Sequence, residues 1–183
     1  LMLTWSSWLP LTGVESIPTE ARGCVTQYYA LPETTRLETG KRLLLNAHDD
    51  DPNHVAPMSA VAPEYAPAGR QLLAATFLGR PDAADNVLAA RSHLALESWY
   101  PDDTFGDLTT VHTERVEFGQ FAQSPGTHAR LPATDAPDGP VFLAGDYTAW
   151  SSIQGALQSG RVAANAVLDE RRRGPSAVRS EGR

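Results

Sequence analysis

The sequence predicts a mixed α/β chain, α+β in the broader sense, and three observations carry that prediction. Runs rich in β-branched and aromatic residues, bounded by glycine or proline, recur early, as in CVTQYYAL from Cys24 to Leu31 and RQLLAATFLG from Arg70 to Gly79. Apolar residues at helical spacing follow between Pro81 and Trp99. Near the end, an apolar VFLA run leads through Gly145 and Asp146 into a helix of small residues.

Taken in order, Cys24 to Leu31 forms a first strand and Arg42 to Asn46 a second. AHDDDPNH is a polar loop, HVAPMSAVA is a third extended region, and PEYAPAG turns the chain into a buried strand from Leu72 to Leu78. Pro81 and Asp82 suit the first turn of a helix, where proline loses no hydrogen bond and an acid meets the positive pole. Ala84, Val87, Leu88, Leu94, Ala95 and Trp99 supply its apolar stripe, and Pro101 stops it. Thr110 to Phe118 is a further strand, and a turn-rich connector from Phe121 to Pro140 precedes the closing strand Val141 to Ala144. The last helix spans Ser151 to Leu168, with Arg171 to Arg173 complementing its negative pole.

Composition narrows the function classes. The 183 residues carry a net charge of −7, which leaves no footprint for nucleic acid or anionic lipid. Cys24 is the single cysteine, so an internal disulfide or a CxxC centre is excluded. No run approaches the roughly 18 apolar residues of a spanning helix. These features suit a cytoplasmic protein, with peripheral membrane contact left open. The opening LMLTWSSWLP enters apolar residues without a methionine, as in a polypeptide begun partway, and the polar end from Arg171 is expected to be a disordered tail. Trp5 and Trp8 in that opening find no place in the scheme.

Side chains able to do chemistry are sparse. His48, Asp49, Asp50, Asp51 and His54 mix two metal-ligand types but suit a solvated loop, and no metal is assigned. His93 falls at the polar edge of its helix, and His112 and His128 lack an identifiable partner, so no general base is nominated. Tyr28, Tyr29 and Trp99 suit core positions, whereas Tyr147 and Trp150 flank the Gly-Asp junction. That junction is the informative stretch. Asp146 ends an apolar strand, where open α/β sheets present ligand-binding groups, and the helix after it has no acid in its first turn. Gly155, Ala156, Ser159, Gly160, Ala163 and Ala164 leave a face almost without bulk, open to backbone or to a flat ligand. A generic βα unit with tight helix packing, and Asp146 as a turn former or cap, account for the same residues.

The string G-D-x-T-x-x-x-S-I-x-G-A-x-x-S-G-R-x-A-A, from Gly145 to Ala164, resembles the C-terminal flavin-binding segment of FAD-dependent oxidoreductases of the flavin amine oxidase and phytoene desaturase superfamily. The resemblance implies that Asp146 meets the ribityl and pyrophosphate region of FAD. It also implies that the Ser152 and Ile153 backbone faces the pyrimidine edge, with Gly145, Gly155 and Ala156 alongside and Tyr147 and Trp150 toward substrate. A helix N-terminus there favours the reduced, anionic ring by ~1–2 kcal/mol, or roughly 20–40 mV for two electrons. More loosely, APMSAVAPEYAPAG from Ala56 to Gly69 is similar to a substrate-domain stretch of phytoene desaturase-like proteins.

On this resemblance residues 1–137 are part of a mixed-sheet substrate domain, 138–170 the last βα unit of a Rossmann-like FAD-binding domain, and 171–183 a tail. The glycine-rich G-x-G-x-x-G fingerprint that holds the ADP half of FAD is absent from the sequence. The rest of the cofactor site then comes from a missing N-terminal half, in cis or as a partner chain. The implied reaction is hydride transfer from a small, apolar organic substrate to FAD. Ser152 stands where amine oxidases place a cage tyrosine, and the single lysine, Lys41, does not align with their lysine near the flavin; both favour a desaturase-like or isomerase-like enzyme. A flavin amine oxidase proper, or a noncatalytic binding module on the same scaffold, is the alternative.

Overall fold

A computed structural model of the chain describes residues 17–35, 37, 39–48, 52–102, 105–134 and 141–173. Trp5, Trp8, Asp49, Asp50, Asp51, the expected domain boundary at residue 137 and the chain beyond 173 lie outside the described residues. The chain divides into two compact units, one of residues Arg22–Gly119 and one drawn from Leu1–Ala21 and Gln120–Arg183.

The first unit is built on a five-stranded sheet in the order β2-β3-β4-β1-β5. Its strands are β1 (Ala21–Pro32), β2 (Leu44–Leu45), β3 (His54–Pro57), β4 (Arg70–Leu78) and β5 (Thr109–Phe121). β1 pairs antiparallel with β4, setting Val25 opposite Phe77 and Tyr29 opposite Leu73, and β4 pairs antiparallel with β3. Alternation decides the two faces of β1: Val25, Gln27, Tyr29 and Leu31 are buried, while Cys24, Thr26, Tyr28 and Ala30 are only half-buried. Gly23 admits β5 closely, because a Cβ there would stand 2.5 Å from the Val116 carbonyl oxygen and 2.8 Å from that of Glu117.

Helix α1 is a single turn, Met58–Val61, so the third extended region expected from HVAPMSAVA ends as a strand at Pro57. The Ser59 hydroxyl fixes the bend by accepting the Leu72 N–H at 3.0 Å. Helix α2 runs Asp85–Trp99 and buries Leu88, Ser92 and Leu96, one residue every fourth position. Leu88 packs with Val25 and Phe77, and Leu96 with Tyr29, Leu31, Val55, Leu73, Ala75 and Phe105. Each of these leucines contributes about 1.5–3 kcal/mol by leaving water.

Two expectations for α2 are corrected. It begins at Asp85 rather than Pro81, and the Arg115 guanidinium of β5 donates to the Ala83 carbonyl at 2.9 Å and to the Asp85 carboxylate at 2.6 Å. Ala84 is extended, at φ −65° and ψ 153°, so the Pro81–Ala84 lead-in stays out of the helix and Asp85 is the first-turn acid. The packed stripe keeps Leu88 and Trp99 of the expected residues but not Val87 and Leu94, which are 42% and 65% exposed.

The second unit holds helix α3, Ile153–Arg173, which starts two residues later and ends five residues beyond the expected limits. Arg171 and Arg172 therefore belong to a helix, not a tail. The closing strand expected at Val141–Ala144 shrinks to a bridge at Phe142, with the Leu143 N–H on the Thr134 carbonyl at 2.9 Å. A strand extends only where a neighbour offers a ladder of partners. Among the described residues no helix is long and apolar enough to cross a membrane.

Candidate functional site

Between the Phe142 bridge and α3 the chain makes a one-turn 3-10 helix, Asp146–Thr148. Three polar groups hold it. The Gly145 N–H donates to Ser159 Oγ at 2.9 Å, Thr148 Oγ1 donates to the Gly145 carbonyl at 3.1 Å, and the two hydroxyl oxygens lie 2.6 Å apart. Each hydroxyl has one proton. Since Thr148 directs its own to Gly145, Ser159 is the donor between them, and the three bonds close a ring. Ser159 is 2% exposed, so its hydroxyl is shielded from water, while Gly145 and Thr148 are half-buried.

Ser152 caps α3. Its Oγ accepts the Gly155 N–H at 2.9 Å and its carbonyl accepts the Ala156 N–H at 3.0 Å. The amides of Ile153 and Gln154 have no acceptor among the described residues, and no acidic side chain stands in the first turn. Two N–H groups at the positive pole of a 21-residue helix are thus left to meet an anionic or electron-rich atom.

The residues singled out from sequence at the junction fall into two sets. Asp146 is half-buried, and its carboxylate has no hydrogen-bond or ion-pair partner among the described residues. Ile153 and Ala156 are exposed, Ile153 at 84%. Trp150 is also partly open, whereas Tyr147 is buried and its phenol is pushed up by desolvation, then by the Asp146 charge. Tyr147 is therefore a packed support of the turn rather than a surface residue. Gly155 is buried under the Trp150 carbonyl oxygen, so its missing side chain serves backbone contact and not a ligand.

Helix α3 sorts its small and large residues unusually. Gly155, Ser159 and Ala163 are buried, while Ile153 and Leu157 stand 84% and 68% exposed and a Cβ at Gly160 would meet nothing within 4 Å. Open amide donors and exposed apolar side chains thus stand together in the first turns of α3, and Gly155, Ser159 and Ala163, among the small residues expected to form an open face, are turned inward.

Thr148 escaped sequence reasoning, and Ser159 was seen there only as a small residue. The signal available was two hydroxyls at fixed distance from the Gly-Asp pair, but only folding shows that they meet. In the first unit, a shallow cavity of about 660 Å³ is lined by Glu33, Leu37, Ser59, Pro63, Arg70 and Gln71, within the stretch singled out at Ala56 to Gly69 and its neighbours. Among the described residues no three His, Cys, Asp or Glu side chains are grouped to hold a metal. His54 bonds Asn53 at 3.0 Å and its imidazole is lowered by burial; His93 bonds the Phe105 carbonyl at 3.0 Å.

The chain thus carries an antiparallel sheet, where a mixed one was expected, and a helix whose first two amides are open. The family model for flavin containing amine oxidoreductases matches residues 21–168, and the chain belongs to that family. By its description that family contains flavin and carries out oxidoreduction. Solved structures similar in fold include reduced UDP-galactopyranose mutase, at 12% identity and a TM-score of 0.62, over 90% of this chain and 37% of that one. An oxidoreductase from Methanosarcina mazei matches at 15% identity and a TM-score of 0.52, covering 92% of this chain and 39% of its own. A Pyrococcus furiosus protein matches at 12% identity and a TM-score of 0.51, over 91% and 36%. The chain thus spans little more than a third of each of these structures. No curated protein matches it.

Proposed function

We propose that this chain is the C-terminal portion of an FAD-dependent oxidoreductase acting on a small, apolar organic molecule. The observation that carries the reading is the pair of unpartnered amides, Ile153 and Gln154, at an α3 terminus free of acidic side chains. Bound there, FAD supplies the redox chemistry by accepting a hydride from substrate. The chain's own residues bind and orient it. Asp146 orients the ribityl and pyrophosphate region, and the Ser152–Ile153 backbone and Gln154 amide hold the pyrimidine edge. Gly145 and Ala156 flank that contact, with Trp150 on the substrate side. Gly155 acts one layer below, by letting the Trp150 carbonyl settle on the helix.

In this reading residues 1–137 belong to a substrate domain, 138–170 close a Rossmann-like FAD domain, and a glycine-rich N-terminal half completes it in cis or as a partner chain. The outer α3 face, with Ile153 and Leu157, is where that half and the flavin meet this chain. The acidic balance favours neither nucleic acid nor anionic lipid as a partner, and suits a cytoplasmic enzyme. The family match favours one second reading, an amine substrate. Ser152 and Lys41 speak for the apolar one instead.

An absorption spectrum of the complete gene product after addition of FAD tests the proposal. A stoichiometric flavin that bleaches with polyisoprenoid rather than with amines is the expected result. Protein that remains colourless would leave only a noncatalytic binding module.

A further inference from the structure

We propose that Thr148 and Ser159 are positioning residues for the cofactor contact, acting through the ring they close with Gly145. The inference rests on the reading of the Gly145–Ile153 junction as an FAD site. Asp146 has no side-chain partner among the described residues, so its direction is inherited from the turn that carries it. That turn is tied at both ends. Gly145 is held by its N–H on Ser159, and Thr148 by its hydroxyl on the Gly145 carbonyl and on Ser159. Because Ser159 belongs to α3, the ring fixes the carboxylate in the same rigid frame as the Ile153 and Gln154 amides. A strand-end acid and a helix pole on separate elements thereby become one preformed site, and preorganisation of that kind raises affinity by removing an ordering cost at binding.

Burial makes the ring decisive. Ser159 is 2% exposed, so without the Thr148 hydroxyl its own proton is left without an acceptor, while the Gly145 carbonyl keeps the Thr148 N–H at 3.1 Å. The chemistry asks for a hydroxyl at residue 148 and nothing else of threonine. Thr148→Val keeps the shape and removes the bond; Thr148→Ser keeps the bond and removes the methyl group.

The test uses the complete gene product and reads FAD affinity, midpoint potential and backbone hydrogen exchange. Thr148→Val is expected to weaken FAD binding about tenfold. It is also expected to lower the preference for reduced over oxidised FAD about threefold, or about 14 mV at 29.6 mV per decade for two electrons. Thr148→Ser should stay within about twofold of wild type. Ser159→Ala serves as the second variant, with the same loss of affinity and faster exchange at the Gly145 amide. The inference is overturned if Thr148→Val matches wild type in affinity and potential, or if Thr148→Ser loses as much as Thr148→Val. Wild-type protein that binds no FAD defeats the underlying FAD reading as well, whereas indifferent variants of an FAD-binding wild type defeat the inference alone.

Discussion

Gly155 lies directly beneath the carbonyl oxygen of Trp150, so close that no side chain can stand between them. Helix propensity alone would make Gly155→Ala stabilising, by about 1 kcal/mol. The contact reverses the sign, because the obstacle is backbone and cannot rotate away. Gly155→Ala is expected to destabilise by roughly 1–3 kcal/mol through overpacking, and to displace the Ser152 cap beside it. Thermal melting checks this, and a melting temperature equal to or above wild type would show that the Trp150 carbonyl has room to move.

Two neighbouring leucines of α2, Leu94 and Leu96, are expected to behave oppositely. Leu96 is fully buried in the sheet core, and Leu96→Ala should cost 2–5 kcal/mol in urea unfolding, as core leucines do. Leu94 is 65% exposed, and Leu94→Ala should fall within about 0.5 kcal/mol of wild type. Equal losses at the two positions would place the helix in the wrong rotation about its axis.

That pair also shows what sequence can carry. β1 and β4 were legible because their composition and bounding glycine and proline residues point to strands whichever face is covered. The rotation of α2 was not, since Val87, Leu88, Leu94, Ala95 and Trp99 admit more than one apolar stripe and the Arg115 clamp arrives from a strand well downstream. At the junction, the Gly-Asp pair, the acid-free first turn and the small residues of α3 were all visible in the string itself. What each small residue is for was not. Gly155 and Gly160 are the same residue type, yet one faces a backbone carbonyl and the other faces open space. Likewise the Ser159–Thr148 ring depends on hydroxyls 11 residues apart meeting across a turn, which no periodicity encodes.

Asp146→Asn separates binding from folding. The Asp146 carboxylate has no partner among the described residues, so its neutral isostere should leave the melting temperature of the apoprotein unchanged. If the charge serves the cofactor, as proposed, FAD affinity should fall by about 10- to 100-fold, the scale of a hydrogen bond to a charged group. Quenching of FAD fluorescence measures the affinity. Wild-type affinity in Asp146→Asn would remove the acid from the site and leave it as a turn former.

The last prediction concerns pH. Tyr29 is 1% exposed, its phenol donates to Gln27 Oε1 at 2.5 Å, and Gln27 in turn donates to the Asp85 carbonyl and to Thr113 Oγ1, each at 3.0 Å. Burial pushes the phenol up from 10.0 to about 12, because a phenolate there would lose its hydration. The folded value is raised, so the stabilisation is complete below pH 10, where both states keep the proton. It drains away as pH rises toward 12, because the unfolded chain releases its proton first. A shift of that size corresponds to roughly 3 kcal/mol. Urea unfolding between pH 9 and 12 should therefore show a steeper loss for wild type than for Tyr29→Phe, which has no proton to release at this position. Tyr29→Phe itself should be less stable at neutral pH, since Gln27 Oε1 is left buried without its donor. Parallel pH profiles for the two proteins would mean that the phenol is hydrated in the folded state and that the sheet core at β1 is open to water.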